Sequence, residues 1–159
     1  MFHLIPAPLH RLALRIASRA RAHYRRRFRR PINGVALVAR DTGGRVLLVR
    51  HTYGSRRWAL PGGGRGARED PADCVRREMR EELGCDLVDL ALLRVARHEL
   101  QGAPITSHIF TARLSREPEV DGREIEMAGW FDPADLPQEI VQISRREIER
   151  AEQAGAAER

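Results

Sequence analysis

Residues 63–85 read GGRGAREDPADCVRREMREELGC, and this stretch decides the fold class of the chain. It begins in a run of glycines and continues into a helical pattern. Asp70 is a suitable N-cap and Pro71 suits the first helical position, while Gly84 is typical of a helix end. The sequence therefore predicts a helix over residues 71–83 that follows a glycine-rich loop.

Three glutamates share one edge of this predicted helix. Glu78, Glu81 and Glu82 stand at positions i, i+3 and i+4, so their side chains project from one narrow stripe. Like charges at this spacing repel each other by about 0.2–0.5 kcal/mol per pair. Carboxylate oxygens are also the ligands that Mg2+ prefers. Taken alone, the stripe is more typical of a solvated acidic face that neighbouring arginines neutralise.

The residues before the helix provide a second signal. The glycines of residues 62–64 stand between a short strand and the helix, where bare backbone can approach a phosphate or offer a carbonyl to a metal. The spacing of the charged residues that follow these glycines is also informative. After Gly63 come five residues and Glu69, then seven residues and Arg77-Glu78.

This string resembles the Nudix box, which reads G, five residues, E, seven residues, R-E, apolar, any, E-E, any, G, apolar. Every required position is matched from Gly63 to Cys85. The resemblance covers residues 33–150 and favours the metal site over the solvated acidic face. It implies an α/β fold, a Nudix-type α/β/α sandwich around a mixed β-sheet.

The resemblance implies a metal site and a general base. In the family the R-E and E-E glutamates bind divalent metal, which implies this role for Glu78, Glu81 and Glu82. Gly63 would contribute its carbonyl, and the ion would be Mg2+ or Mn2+. Among the carboxylates, Glu78 is the first candidate for the general base and Glu81 is the second.

Further residues match supporting positions of the family. Glu69 and Arg77 correspond to an ion pair that holds the loop on the helix and is usually structural. Many members add a metal-binding carboxylate from a later strand, and Glu124 is our choice for it. Glu126 and Glu99 are the alternatives.

The activity that the resemblance implies is metal-dependent hydrolysis of a diphosphate linkage. The substrate would be a nucleoside diphosphate joined to another group, or a nucleoside triphosphate. Leu100 and Gln101 stand where some members carry a substrate-specific proline or tyrosine, so the substrate is open. Two other functions are a non-catalytic module that senses a nucleotide, and a protein that acts through a basic arm tethering it to membrane or RNA.

That basic arm is residues 1–30, which contain nine Arg and no Asp or Glu, a charge of +9. The remainder contains 19 Arg and 22 acids, a charge of −3. We expect an amphipathic basic helix in residues 1–31, ahead of a hydrolase domain in residues 32–159. Its apolar positions have helical spacing. They are Leu9, Leu12, Ala13, Ile16, Ala17, Ala20, Tyr24 and Phe28.

Three partners compete for this arm: an anionic membrane surface, RNA, and a docking surface on the domain or on a second subunit. Docking on the domain or on a second subunit is the preferred interpretation, followed by the membrane surface and then RNA. No stretch of the sequence approaches the ~18 apolar residues that a spanning helix needs. We expect a cytoplasmic protein, with peripheral membrane attachment as the alternative.

The remaining pattern predicts strands on either side of the helix. Two strands at residues 34–40 and 45–51 are joined by the turn Asp41-Thr42-Gly43-Gly44, and a third is Trp58-Ala59-Leu60. Ile140, Ile143 and Ile148 indicate a C-terminal helix. Cys74 and Cys85 are expected to be buried thiols. The later strands are predicted at residues 85–100, 105–114 and 124–131.

Overall fold

The computed structural model describes residues 32–100, 103–120 and 122–157. The basic helix predicted in residues 1–31 lies outside the described residues, so the division of the chain at residue 31 stays a prediction. No helix in the described ranges has the length and apolar content needed to cross a bilayer. The elements are β1 Ile32–Ala39, β2 Val46–His51, β3 Trp58–Ala59, α1 Pro71–Leu83, β4 Leu87–Leu100, β5 Ala103–Leu114, β6 Ile125–Phe131 and α2 Gln142–Ala157.

The six strands form two three-stranded sheets. The first has the order β1-β5-β4, with β1 parallel to β5 and β4 antiparallel to it. The second has the order β3-β2-β6 and is antiparallel throughout. The predicted α/β architecture with a mixed sheet is confirmed, and the structure divides its strands between a mixed and an antiparallel sheet.

The turn between β1 and β2 forms as predicted, but these two strands do not pair along their length. The Asp41 carboxylate accepts hydrogen bonds from the backbone N–H groups of Gly43 (2.9 Å) and Arg45 (2.8 Å). Only one bridge, between Arg40 and Val46, joins the two chain segments. The turn therefore carries the chain from one sheet into the other.

Each sheet is buried on both faces, with α1 on one side and α2 on the other. Along β1, Leu37 belongs to the core cluster beneath α1, and Val38 belongs to the cluster beneath α2. Leu47 and Leu48 of β2 divide in the same way. Burial on both faces explains why these strands are continuously apolar in the sequence.

The two helices begin and end at recognisable residues. The Asp70 side chain accepts from the N–H of Ala72 at 2.8 Å, and Gly84 adopts a left-handed conformation with φ of 63°. These caps confirm the helix predicted over residues 71–83. The C-terminal helix begins later than the isoleucine pattern indicates, because Ile140 precedes it and forms a bridge with Trp58.

Candidate active site

The glycine loop runs along the free edge of β1. The Leu37 N–H donates to the Pro61 carbonyl (2.9 Å), and the Val35 N–H donates to the Gly63 carbonyl (3.0 Å). Gly62 has a φ of +154°, and a Cβ there would overlap the backbone carbonyl oxygen of Val35. Glycine is therefore required at residue 62, since only a bare backbone can lie this close to the strand.

The loop places Gly63 directly against the carboxylate of Glu78. A Cβ built on Gly63 would overlap all three carboxyl atoms of Glu78. By contrast, a Cβ on Gly64 would meet nothing within 4 Å. The absence of a side chain at Gly63 thus makes the space that the Glu78 carboxylate occupies.

Arg77 joins the loop to the helix. Its Nε donates to Glu69 Oε1 at 2.8 Å, and its Nη2 donates to Glu69 Oε2 at 3.2 Å. The Gly66 N–H also donates to Glu69, at 3.0 Å. The pKa of Glu69 is lowered to about 2, chiefly by the hydrogen bond from Arg77. Arg77 and Glu69 therefore form the ion pair that the sequence indicates.

Arg77 also reaches the helix glutamates, as one of the neighbouring arginines that could neutralise an acidic face. Its Nη1 lies 2.9 Å from a carboxylate oxygen of Glu78 and 3.0 Å from one of Glu81. One guanidinium thus partly neutralises three carboxylates. The positions i and i+4 of Arg77 and Glu81 were the available signal for part of this contact.

Replacing Arg77 by Ala is expected to lower the Tm by about 5 °C at pH 7, because three carboxylates lose their shared cation. The pKa of Glu69 is lowered in the folded state, so its contribution to stability is present above its ordinary pKa of 4.5. That contribution disappears as the pH falls towards 2. The Tm difference from wild type, followed by thermal unfolding, should therefore shrink between pH 5 and pH 3.

The control for this variant is Arg80→Ala. Arg80 pairs with Asp86 at 2.6 Å, but both side chains are more than 60% exposed. An exposed pair of this kind contributes little, so a Tm change of less than about 1 °C is expected. Equal losses in the two variants would show that Arg77 has no special role in holding the loop.

The three helix glutamates differ in exposure. The side chain of Glu81 is 60% exposed, whereas that of Glu78 is 12% exposed. The Oε2 atom of Glu82 is buried and has no hydrogen-bond partner among the described residues. The sequence placed all three on one stripe without this distinction. Its signal was the helical wheel: Glu82 stands seven residues, almost two full turns, after the buried Val75 and so points in nearly the same direction.

Burial and mutual repulsion perturb two of these carboxyl groups. The pKa of Glu82 is raised to about 8, first by burial and then by the charges of Glu78, Glu124 and Glu81. Burial also raises the pKa of Glu78, against the opposing effect of Arg77. Such a cluster of buried carboxylates is costly without a compensating cation, and perturbed groups of this kind gather at functional sites.

Glu124 lies immediately before β6 and belongs to the same cluster. Its charge contributes to the raised pKa of both Glu78 and Glu82. Its backbone carbonyl accepts from the Thr52 N–H at 2.9 Å, which ties this position to the end of β2. The alternative Glu126 instead pairs with Arg56 at 2.6 Å.

The other alternative, Glu99, is an exposed residue near the end of β4, where it pairs in register with Pro104. Of the three candidates from later strands, Glu124 is thus the one whose charge acts on the helix glutamates.

The donor set fits a hard divalent cation. It consists of carboxylate oxygens, one of which is buried without a partner, beside the backbone carbonyl of Gly63. Within the described residues, no three such side chains already surround a common point. Glu78 and Glu81 are directed to Arg77 instead, so ion binding would require them to turn from that guanidinium.

Both cysteines lie close to this region and are structural. Cys74 and Cys85 are buried and free, as the sequence predicts. The pKa of Cys74 is raised to about 11, chiefly by burial. Trp58 lies half-buried with its ring 4.9 Å from that of Phe131. Cys74 Sγ accepts a hydrogen bond from Arg77 Nη2 at 3.6 Å, which places this thiol beside the Arg77–Glu69 ion pair.

Comparison with known proteins identifies similar sequences. A protein from Mycobacterium tuberculosis named ADP-ribose pyrophosphatase is 34% identical over 119 residues, covering 67% of this chain and 56% of its own. A protein from Halorhodospira halophila named RNA pyrophosphohydrolase is 37% identical over 67 residues, covering 42% and 36%. The chain thus spans only about a third to just over half of these relatives' lengths.

A solved structure and a family model also match most of the chain. The structure titled MutT NUDIX hydrolase, from Burkholderia pseudomallei, superposes with a TM-score of 0.68 at 32% identity. The match covers 75% of this chain and 96% of that one. The model of the family described as NUDIX domain matches residues 30–151. The chain therefore belongs to the Nudix family.

Proposed function

We propose that this chain hydrolyses a diphosphate linkage in a nucleoside diphosphate derivative or a nucleoside triphosphate, with Mg2+ or Mn2+ bound. Family membership supports hydrolysis of this kind. The similar proteins are named for pyrophosphate hydrolysis, one of ADP-ribose and one of RNA. Their names place nucleotide diphosphates among the substrates to be tested first.

The observation that carries this proposal is the buried carboxylate cluster beside a bare glycine loop. Glu82 has an unpartnered buried oxygen and a pKa raised to about 8, and the charges of Glu78 and Glu124 contribute to that shift. A helix face with a purely structural role would not leave a buried carboxylate oxygen such as Glu82 Oε2 without a partner. A cation-binding site gives them a physical reason to be there.

Glu78, Glu81, Glu82, Glu124 and the Gly63 carbonyl would hold the cation. When bound, it would neutralise phosphate charge and lower the pKa of a water molecule. The Gly63 carbonyl already accepts one hydrogen bond, from Val35, and a carbonyl oxygen has a second lone pair for a further contact. Arg77 would keep its ion pair with Glu69 when the helix glutamates turn towards the cation.

Glu78 is the better candidate for the general base. Burial raises its pKa in the ion-free protein, so burial favours the protonated form of this carboxylate. Gly63 fixes the place of its carboxylate, on which the attacking water would leave its proton. Glu81 is largely exposed and is better suited to binding the ion from the solvent side.

A panel of substrates tests the proposal. Purified protein would be incubated with Mg2+ or Mn2+ and a nucleoside diphosphate sugar, a dinucleoside polyphosphate, a nucleoside triphosphate or a 5′-triphosphorylated RNA. We expect phosphate-bearing products from at least one class, and no product in EDTA. Turnover that survives EDTA would contradict the metal-dependent mechanism. Binding of a nucleotide without any turnover would instead assign the chain to the sensing modules.

Gly63→Ala is expected to lower turnover of the substrate so identified by about 100-fold, because the new methyl group displaces the Glu78 carboxylate. Gly64→Ala is its matched control, since a methyl group there meets nothing within 4 Å. Circular dichroism should show that both variants fold. Comparable turnover in the two variants would mean that the position of the Glu78 carboxylate does not limit the reaction.

A further inference from the structure

A large cavity lies beside the C-terminal half of α2, on the face of the first sheet that α2 covers. Its volume is about 710 Å3, and small residues of α2 form one wall, including Ala151 and Ala154. Leu93 of β4 and Thr111 of β5 line it from the sheet. The cavity is therefore separated by the sheet from α1 and the carboxylate cluster.

A smaller cavity of about 90 Å3 lies along the same helix, nearer its beginning. Ile143 and Glu147 of α2 line it, together with Ala36 of β1 and Ser107 of β5. Glu147 stands one helical turn before Ala151, which lines the large cavity. We call the two cavities together the α2 groove. The groove follows the length of α2.

The wall of the groove on the β4 side is apolar and exposed. Leu93, which lines the large cavity, is 38% exposed, and Ala96 of the same strand lines the small cavity. Asp132 and Glu152 also line the large cavity, and Glu152 forms an ion pair with Arg40, a further lining residue. The charged residues that line the large cavity thus sum to one net negative charge, which favours a basic occupant, and the apolar lining residues favour one with an apolar face.

The basic arm joins the domain at the end of the groove where the small cavity lies. It joins β1 at Ile32, and Ala36 farther along β1 lines the small cavity. Arg40, just after β1, lines the large cavity. A helix formed by residues 9–28 would be about 30 Å long, and β1 spans roughly 26 Å. The arm can therefore fill the groove by turning back beside β1.

We propose that residues 9–28 dock as a helix in the α2 groove of their own domain, antiparallel to α2. The apolar stripe of the arm lies against Leu93, Ala151 and Ala154, and the arginines face outward and towards Asp132 and Glu152. The arm carries a charge of +9 and the rest of the chain −3, so long-range attraction favours this contact. The arm would then be part of the folded domain.

A disulfide between the arm and α2 tests the contact in the full-length chain. If Phe28 lies beside Ile143, eleven residues along each helix bring Ala17 beside Ala154, with Ile16 next to it on the apolar stripe. The test variant is therefore Ile16→Cys combined with Ala154→Cys. The control combines Ser18→Cys with Ala154→Cys, because residue 18 points to the opposite side of the predicted arm helix.

The two native cysteines do not compete in this experiment, since both are buried and burial raises the pKa of each thiol. Mild oxidation should produce an intramolecular disulfide in the test variant at a rate at least about 10-fold above that of the control. Non-reducing electrophoresis and peptide mass analysis identify the link. A link between two chains would assign the groove to a second copy and overturn the proposal, as would equal rates in the two variants.

A second measurement uses single substitutions, so that it does not depend on the double variant. Maleimide labelling of Ile16→Cys should be at least about 10-fold slower than labelling of Ser18→Cys. Adding Leu93→Glu should remove this difference, because it places a charge in the apolar wall. Equal labelling without Leu93→Glu would overturn the proposal. So would protection that arises only when vesicles containing anionic lipid are added, since the membrane would then be the occupant.

Discussion

Glu78→Gln is expected to lower kcat by about 10²–10⁴-fold and to leave the fold intact. The amide keeps the size of the side chain but cannot accept the proton of the attacking water. Glu78 is only 12% exposed and lies against the bare backbone of Gly63, so no other group can easily take its place. Steady-state kinetics at saturating metal and substrate would measure the effect.

Two comparisons make this result specific. Glu149→Gln changes an exposed residue of α2 and should retain wild-type turnover. Glu81→Gln should lose less turnover than Glu78→Gln, because Glu81 is 60% exposed and is assigned to ion binding. The reverse order would assign the base to Glu81. Wild-type turnover in Glu78→Gln would place the chemistry away from this helix.

Glu82→Gln is expected to stabilise the metal-free protein at pH 8 while it weakens metal binding. The pKa of Glu82 is raised from 4.5 to about 8 in the folded state. Between these values the folded protein retains a proton that the unfolded chain has lost, so wild-type stability falls as the pH rises. At 1.36 kcal/mol per pKa unit the effect cannot exceed about 5 kcal/mol, and local relaxation should reduce it to about 2 kcal/mol.

Denaturant unfolding in EDTA measures this difference. Below pH 4.5 the carboxyl group is protonated in both states, so wild type and Glu82→Gln should have similar free energies of unfolding. The variant should become more stable than wild type as the pH rises to 8. Glu149→Gln, on the exposed side of α2, should match wild type throughout. A variant that is less stable than wild type at pH 8 would contradict the interpretation that Glu82 is a buried carboxylate repelled by its neighbours.

A single helix could be predicted because the residues that specify it are neighbours in the sequence. The helix of residues 71–83 is specified by Asp70, Pro71 and Gly84, and its observed bounds agree. Strand pairing could not be predicted in the same way. The β2 residues Val46 to Val49 are buried on both faces, so they show no alternation, and their partner in β6 lies about 80 residues away in the sequence.

The same distinction between local and long-range signals applies to the candidate site. The spacing of Glu78, Glu81 and Glu82 revealed which residues belong together, since one helix carries all of them. Their different burial depends on what packs over the helix, and this came only from the folded structure. Glu124 was chosen from a family resemblance; its charge contributes to the raised pKa of Glu78 and of Glu82, and its role as a metal ligand stays a prediction.

Calorimetric titration of Mn2+ into the protein, with a non-hydrolysable nucleoside diphosphate analogue present, tests the metal site most directly. Because the pKa of Glu82 is about 8, ion binding at pH 7 should release close to one proton, seen as a dependence of the heat on the buffer. We expect binding with proton release in wild type, and neither in Glu82→Gln. Equal Mn2+ affinity in both proteins would contradict the assignment of this carboxylate cluster as the metal site.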